Sequence, residues 1–453
     1  MKKYVLVGVG GRAMMYWEAL AKDFANTSKL AAVCDINKGR LELTRQKAGR
    51  LISDLKAYHS NDFDKMLCEN KADTVIVCTR DCSHDDYIVR ALEHGCDVIT
   101  EKPMTIDAKK CQRIINAVKK TGKNVRVTFN YRYSPVRSQI KELLMKGIIG
   151  KILSINFQWN LDTSHGADYY RRWHRNKENS GGLLVHKATH HFDLVNWWLG
   201  DIPVEVGAQG KRAFYNAEQA NRYGLKNHAE RCLDCSLKSQ CNFYMDIQKS
   251  QQIKELYYNH EREDGYIRDK CVFSDSIDIE DTISVQVQYK SGAELTYTLN
   301  SFAPYEGYKI EFNGTKGRLE HICQETSYIN GDGTVQGALK PEGTSIKVFP
   351  HFQTPYSIEP HVGTGGHGGG DSVMLNDIFG NPAADSLKRA ANYVQGAYSI
   401  LVGIAANESI ASGKYVNVEK LVTGLPEHGY PQNSGEDEQI AFVSETKKVH
   451  CSN

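Results

Sequence analysis

The sequence predicts an α/β fold: a doubly wound parallel sheet in the first third of the chain, then an α+β part with an open, mainly antiparallel sheet. Short apolar runs alternate with helical stretches up to about residue 130, which is the rhythm of a parallel sheet covered on both faces. Beyond about residue 150 the strand-like runs are longer, and Ser291-Gly292 separates two of them as a hairpin turn would. We therefore expect domains at residues 1–129 and 130–423, with a cysteine-containing insertion near 215–275 and a polar, loosely held tail at 424–453.

Each element follows from its local pattern. Compact apolar runs predict strands at residues 4–7, 30–35, 74–79, 97–100 and 125–129. Helices are predicted between them at 14–23, 83–94 and 105–121. In the second part, strands are predicted at 152–160, 204–212, 282–290, 293–300 and 308–321, and a helix at 384–412 that Gly413 ends.

The first predicted strand runs directly into a glycine-rich turn, Gly8-x-Gly10-x-x-Ala13. The first glycine permits a tight turn, the second lets a pyrophosphate approach the backbone, and the small third residue lets the next helix pack on the strand. Asp35 ends the second strand about twenty residues later, where an acid binds the adenosine ribose. This combination predicts a Rossmann domain that binds NAD, because a carboxylate there repels the ribose phosphate of NADP. Arg40 lies close enough in sequence to keep NADP as the alternative.

Composition excludes several classes of protein. A formal net charge of +2 on 453 residues argues against a nucleic-acid or membrane-surface partner. No apolar run of the sequence approaches the roughly 20 residues of a membrane span, and the chain opens on a predicted core strand rather than a signal peptide. We therefore expect a cytoplasmic protein whose 12 cysteines are mostly thiols or metal ligands rather than disulfides.

Two further motifs point to a family. Glu101-Lys102-Pro103 follows the fourth predicted strand, and Gly181-Gly182 precedes His190-x-x-Asp193. Together with the glycine turn, these motifs resemble the Gfo/Idh/MocA family (glucose–fructose oxidoreductase, inositol dehydrogenase, MocA) over roughly residues 1–420. The resemblance implies an active site between a Rossmann domain and an antiparallel-sheet domain, and a homo-oligomer that pairs through that sheet. It carries the catalytic lysine and histidine of the family over to Lys102 and His190, whereas His186 stands where relatives have an acid.

The predicted catalytic residues are Lys102, His190 and His186. A lysine at a strand's carboxyl end can stabilise a developing alkoxide, and burial can lower its pKa so that it also shuttles a proton. His186, His190 and Asp193 have the spacing of one helix face, which can relay a proton or hold a metal. We expect His190 to act as base and His186 to orient the substrate or assist; core histidines are the alternative. The predicted cofactor-binding residues are Gly8, Gly10, Gly11, Arg12, Ala13, Asp35, Thr79, Glu101 and Lys102.

The stretch at residues 165–174 mixes aromatic and charged side chains before the histidine motif. Rings can stack on apolar sugar faces while charged groups hydrogen-bond hydroxyls, and adjacent arginines can hold a carboxylate. A solvated loop is the alternative, as a plain linker is for the glycine-rich stretch at 365–371. The predicted substrate residues are Asn130, Arg132, Tyr169, Arg172, Trp173, Asp193 and His367.

Four cysteines cluster in the predicted insertion. Cys232-x-x-Cys235 is followed by Cys241 and later by Cys271. This set predicts a structural zinc site with four thiolate ligands, with unligated thiols and an iron–sulfur cluster as alternatives.

The function expected from these residues is NAD-dependent hydride transfer at a hydroxyl of a sugar, sugar acid, cyclitol or glycoside, a small-molecule substrate. The alternative is an NAD-dependent glycosidase or lyase that oxidises its substrate transiently, eliminates, adds water and returns the hydride. A third hypothesis is a non-catalytic NAD-sensing or sugar-binding protein, against which the retained Lys102 and His190 argue.

Overall fold

The computed structural model describes residues 1–326, 343–363, 369–382 and 384–434. Within these residues the strands are β1 (Lys2–Val7), β2 (Ser28–Asp35), β3 (Lys56–His59), β4 (Thr74–Val77), β5 (Asp97–Thr100), β6 (Val125–Val127), β7 (Ile152–Asp162), β8 (Pro203–Lys211), β9 (Thr282–Tyr289), β10 (Glu294–Ala303), β11 (Glu306–Gly314), β12 (Gly317–Thr326), β13 (Ser345–Pro350), β14 (Tyr356–Ile358), β15 (Ala391–Asn392) and β16 (Val416–Asn417).

The helices in the same described ranges are α1 (Ala13–Ala21), α2 (Lys38–Gly49), α3 (Phe63–Asn70), α4 (His84–Glu93), α5 (Ala108–Thr121), α6 (Pro135–Met145), α7 (His165–Arg171), α8 (Lys177–Ser180), α9 (Gly182–His186), α10 (Thr189–Leu199), α11 (Ala217–Arg222), α12 (Gln251–Leu256), α13 (Glu261–Asp264), α14 (Gly370–Phe379) and α15 (Tyr393–Ser412). Over the part of the chain that is described, no helix is both long and apolar enough to cross a membrane.

The first sheet has the strand order β15-β6-β5-β4-β1-β2-β3. Strands β1 to β6 are parallel, as predicted for all of them except β3, which was not predicted, and β15 is antiparallel to β6. Apolar residues of β1, β4 and β5 are buried because helices cover both faces. The turns that follow β1, β4 and β5 therefore meet at one edge of the sheet, where ligands of such folds bind.

The second sheet has the order β14-β13-β12-β11-β7-β10-β9-β8-β16. Neighbouring strands are antiparallel except β7 and β10, which are parallel. The hairpin predicted at Ser291-Gly292 is confirmed between β9 and β10. The single strand predicted at 308–321 is wrong, because the chain reverses after Gly314 and forms the β11–β12 hairpin.

The start predicted for the last helix is also wrong. Residues 391–392 pair with β6 as β15, and the Asn392 side chain then caps α15 in a capping box with Gln395. Gly413 ends α15 in a left-handed conformation, as predicted. The domain boundaries predicted at 129 and 423 stay a prediction.

Residues 424–434 are not the loosely held tail that was predicted. Tyr430 is buried, and Nζ of the buried Lys141 donates to the Pro431 carbonyl at 2.8 Å. The Ser434 N–H donates to the Met145 carbonyl at 3.0 Å. Burial and these hydrogen bonds fix the segment against α6, whereas residues 435–453 lie outside the described part of the chain.

Candidate functional site

The glycine turn after β1 forms a cradle that has no side chain of its own at Gly8, Gly10 and Gly11. Gly8 has a φ of +85°, and a Cβ added to it would lie 2.6 Å from the Cys78 carbonyl group. The Gly10 carbonyl accepts the Ala13 N–H at 3.1 Å where α1 begins. Bare backbone at a helix N-terminus fits the pyrophosphate of a dinucleotide.

Asp35 is held at the end of β2 beside that cradle. Its carboxylate accepts the Val9 N–H at 2.7 Å and the Asn37 N–H at 2.8 Å. Nη2 of Arg40 lies 3.5 Å from Oδ1 of Asp35. Nη1 of Arg40 is buried and has no hydrogen-bond partner among the described residues. A fixed carboxylate and an unused buried donor fit the hydroxyls of an adenosine ribose.

Glu101 links the cradle to the turn that follows β5. Nε of Arg12 pairs with the Glu101 carboxylate at 2.8 Å, and the Tyr16 hydroxyl donates to it at 2.6 Å. Burial opposes ionisation of Glu101, but Arg12 and the Tyr16 hydrogen bond lower its pKa. This carboxylate is therefore a fixed anchor that positions the next residue, Lys102.

Lys102 projects from this turn toward His186. Its Nζ lies 3.0 Å from the His186 carbonyl oxygen and 3.4 Å from His186 Nε2. Burial lowers the pKa of Lys102 to about 8, an effect that the Asp81 carboxylate opposes and Lys187 reinforces. An amine with this pKa can exchange a proton near neutral pH.

His186 is in turn bonded to Asp81, which was not predicted as a site residue. Its Nδ1 lies 2.5 Å from Oδ2 of Asp81, in the turn after β4. Thr79, a predicted cofactor residue, lies in the same turn and accepts the Ser83 hydroxyl at 2.9 Å. Burial raises the pKa of Asp81; burial and then the charge of Lys102 lower that of His186.

Asp81, His186 and Lys102 form a hydrogen-bonded chain with two proton arrangements. An ammonium can only donate, so a charged Lys102 donates to Nε2 while Nδ1–H donates to the Asp81 carboxylate. With a neutral Lys102, Nε2–H donates to the amine and a protonated Asp81 donates to Nδ1. Both arrangements hold the same number of protons and have no net charge. The chain can therefore convert Lys102 into a base without creating a buried charge.

Aromatic rings surround His186. The ring of His174 lies 4.1 Å from the His186 ring, that of Tyr169 5.6 Å and that of Trp173 5.8 Å, measured between centroids. Trp173 also stacks on His174 at 3.6 Å. The structure thus brings the predicted Tyr169 and Trp173 together with His186, and it adds His174. The remaining predicted residue of this stretch, Arg172, pairs with Asp168 at 3.4 Å.

The prediction that His186, His190 and Asp193 share one helix face is wrong for His186, which lies on a different helix from His190 and Asp193. Helix α9 ends at His186 and α10 begins at Thr189, and the Ala188 N–H bonds the Leu183 carbonyl five residues back at 2.8 Å. Such a bond adds a residue to the turn and shifts the following side chains around the axis.

His190 and Lys187 instead meet at Tyr131. The His190 ring stacks on the Tyr131 ring at 4.1 Å, and Nζ of Lys187 donates to the Tyr131 hydroxyl at 3.0 Å. Lys187 is buried and was not predicted as a site residue. Its charge contributes to the lowered pKa of Lys102 and of His186, so it belongs to the same electrostatic environment.

Arg132 and Asp193 are not placed to contact a substrate, contrary to the prediction. They form an ion pair whose two side chains are both 0% exposed. Asn130 donates to the Asp371 carboxylate at 2.8 Å, which ties it to the start of α14. Predicted residue His367 lies outside the described residues.

The predicted zinc site is not found in the structure. Cys232, Cys235, Cys241 and Cys271 line one small cavity, but in the ranges described no group of three or more His, Cys, Asp or Glu side chains is arranged to hold a metal ion. Cys271 instead contacts His228 Nδ1 at 3.3 Å. Burial raises the pKa of Cys271 to about 11.

Two family models match the chain. "Oxidoreductase family, NAD-binding Rossmann fold" matches residues 2–129, and "Oxidoreductase family, C-terminal alpha/beta domain" matches residues 141–418. Both belong to the Gfo/Idh/MocA family. Together they cover the two sheets and every residue of the Asp81–His186–Lys102 chain.

Relatives agree with these models. "Putative oxidoreductase YteT" of Bacillus subtilis (strain 168) is 37% identical over 432 residues, 93% of this chain and 99% of its own length. An inositol 2-dehydrogenase/D-chiro-inositol 3-dehydrogenase of Lactiplantibacillus plantarum is 29% identical over 201 residues, 44% of this chain and 53% of its own length. The WlbA dehydrogenase from Bordetella pertussis, in complex with NADH and UDP-GlcNAcA, shares the fold with a TM-score of 0.60, 16% identity, and coverage of 92% and 98% of the two chains. The chain therefore belongs to the Gfo/Idh/MocA family of oxidoreductases, with the NAD-binding Rossmann domain of that family.

Proposed function

We propose that this protein transfers a hydride between NAD and a secondary hydroxyl of a sugar, sugar acid, cyclitol or glycoside. The observation that carries the proposal is the chain Asp81–His186–Lys102, with Nδ1 of His186 2.5 Å from Asp81 and its Nε2 3.4 Å from Lys102. It lies at the carboxyl edge of the first sheet, next to the glycine cradle. Oxidising an alcohol requires a base at the hydroxyl in addition to a hydride acceptor. Asp81, His186 and Lys102 together are suited to act as that base.

The residues that would hold NAD are the glycine turn at 8–13 for the pyrophosphate and Asp35 with Arg40 for the adenosine ribose. When bound, NAD supplies the hydride acceptor. Lys102 hydrogen-bonds the substrate hydroxyl and takes its proton as a neutral amine. Lys102 then carries the substrate proton as an ammonium, so the three residues hold one proton more than either arrangement. One proton passes to solvent, which restores the charged-lysine arrangement and leaves Nε2 of His186 as the acceptor of the ammonium.

His190, the base predicted from the family resemblance, keeps its assignment as a prediction. Its ring is packed against Tyr131, whose hydroxyl accepts from Lys187. This packing fixes the orientation of the imidazole, which favours a directional hydrogen bond to one hydroxyl of a substrate. Separate variants of His190 and of Asp81 distinguish the two possible routes for the proton.

A polyhydroxylated substrate is supported by the rings of Tyr169 and Trp173 beside His186, because such rings can pack against the apolar faces of sugars and cyclitols. The inositol dehydrogenase among the relatives is consistent with this class. NADP as cofactor and pairing through the second sheet are further predictions that separate experiments test.

The test is to incubate the purified protein and NAD with a panel of sugars, sugar acids, cyclitols and glycosides, following absorbance at the NADH band together with the products. We expect stoichiometric NADH with at least one alcohol of the panel. Release of an aglycone without net NADH would replace the proposal by the redox-neutral glycosidase or lyase. Neither signal from any compound, with NAD bound, would leave a binding protein.

A further inference from the structure

The insertion between β8 and β9 reaches back to the nucleotide end of the first sheet. The hydroxyl of Tyr257, the residue after α12, accepts the Gly11 N–H at 2.9 Å. Nδ2 of Asn37 donates to the His260 carbonyl at 2.8 Å. The insertion therefore touches both the glycine turn and the loop after β2, which are the two parts of the chain that hold a dinucleotide.

The approach of the insertion to α2 is close and specific. A Cβ added to Gly39 would lie 2.0 Å from Nδ1 of His260, so a larger residue at position 39 would require the His260 ring to move. About two turns further along α2 the side chains of Lys47 and Glu255 form an ion pair at 2.7 Å.

Helix α13, which carries Asp264, is anchored from its other side. Arg231 pairs with Glu261 of α13 at 2.9 Å and with the buried Asp269 at 2.7 Å. The position of Asp264 is thus set by the core of the insertion as well as by the contact with the Rossmann domain.

Arg40 lies between two carboxylates in this interface. Its Nη2 pairs with Asp264 of α13 and lies 3.5 Å from Asp35. The side chain is 9% exposed. Burial opposes its charge, but Asp35 and then Asp264 raise its pKa, so it stays a cation. Two carboxylates and one guanidinium leave one excess negative charge at this position.

An arginine near the end of β2 is the group that accommodates the 2′-phosphate in enzymes that use NADP. We propose that Asp264 is a specificity-determining residue which, by pairing with Arg40, excludes NADP in favour of NAD. This inference rests on the proposed use of a nicotinamide dinucleotide. With Asp264 in place, Nη2 is occupied and a phosphate would meet two carboxylates, whereas Nη1 stays available to a neutral ribose hydroxyl.

The test compares the affinities of the full-length protein for NAD and NADP by titration calorimetry, which needs no substrate. Asp264→Asn keeps the size of the side chain and removes its charge. We expect the ratio of the Kd for NADP to the Kd for NAD to fall by about tenfold, mainly through tighter NADP binding, because one of the two repelling carboxylates is lost. Glu263→Gln is the matched control: this exposed residue of α13 carries the same charge, and its loss should leave the ratio unchanged.

An unchanged ratio in Asp264→Asn would overturn the inference, and so would an equal shift in Glu263→Gln, since net charge alone would then explain it. Asp264→Ser provides the same comparison should the asparagine variant fail to fold by circular dichroism. A wild-type protein that binds NAD with the expected preference but oxidises no alcohol would refute the proposed function and leave this inference standing. Absence of NAD binding would remove both.

Discussion

Two buried sets of titratable and charged residues, one of three residues and one of two, lie beside the histidine motif and have opposite chemical characters. In the first, His186 bonds Asp81 at 2.5 Å and continues to Lys102, so every partner can gain or lose a proton. In the second, Asp193 pairs with Arg132, and both side chains are completely buried. Arginine keeps its proton at any physiological pH, so the second pair cannot relay one.

The spacing of charged residues in the sequence therefore does not determine their chemistry. The partner that each side chain contacts in the folded protein determines it. Burial raises the pKa of Asp193 to about 6, an effect that Arg132 opposes. Burial lowers the pKa of Lys102, the third residue of the set that contains Asp81 and His186, to about 8. We therefore expect Asp81, His186 and Lys102 to control the rate of the reaction, and Arg132 with Asp193 to control the stability of the fold.

The largest expected effect is a fall in kcat when Lys102 is removed. Lys102→Ala removes the group that meets the substrate hydroxyl, and loss of a positioned acid–base group costs about a thousandfold in kcat, or about 4 kcal/mol. NAD affinity should be retained, because the cradle at residues 8–13 is untouched. Steady-state NADH formation and calorimetry measure the two quantities.

Lys109→Ala is the control for this variant, since Lys109 is exposed on α5 and its loss should change neither quantity. Full activity in Lys102→Ala would refute the relay. Loss of NAD binding in Lys102→Ala would make the lysine a cofactor-binding residue instead.

The second-largest expected effect is a loss of stability when the Arg132–Asp193 ion pair is broken. Asp193→Asn leaves the Arg132 guanidinium buried without a counter-charge, which should lower the free energy of unfolding by about 3 kcal/mol. The double variant Arg132→Met, Asp193→Leu removes both charges and should recover most of that loss. Urea titration followed by fluorescence measures both variants. A double variant that is stable but inactive would restore the original prediction that these residues contact the substrate.

The sequence predicted the parts of the site that are local. Gly8, Asp35 and Lys102 each come directly at or after the end of a strand, and a parallel sheet brings such ends together whatever lies between them. Strands β1, β2, β4, β5 and β6 were predictable because each is a short, largely buried run, whereas β3, whose side chains are exposed or half-buried, was missed. The helix at α2 was missed because its sequence is mostly polar and lacks an apolar stripe.

The parts that escaped prediction depend on contacts between distant segments. Asp81 bonds a histidine 105 residues away, and nothing in the turn after β4 marks it apart from other acids. Tyr257 meets Gly11 across 246 residues, inside an insertion without a strong pattern. The i, i+4 spacing of His186 and His190 predicted a shared face, but α9 ends at His186 and α10 begins at Thr189, so the two histidines lie on different helices.

The smallest of these three effects tests the relay directly. Asp81→Asn can still accept the Nδ1–H of His186 but cannot take up a proton, so Lys102 can no longer become neutral by passing a proton through His186 and must lose it to solvent instead. We expect kcat/KM to fall by about a hundredfold, near the lower end of what acid–base groups contribute. Asp86→Asn, which alters an exposed carboxylate on α4, is the control and should behave as wild type.

The pH profile of kcat/KM distinguishes this relay from a His190 base. In the wild type, oxidation should rise with pH through about 8 as Lys102 becomes neutral, because burial lowers its pKa to that value. The negative charge of Asp81 raises the pKa of Lys102, so removing that charge should move the acidic limb of the profile below pH 8. An acidic limb that stays in place in Asp81→Asn would mean that the titrating base does not sense Asp81, and His190 would then take the role of base.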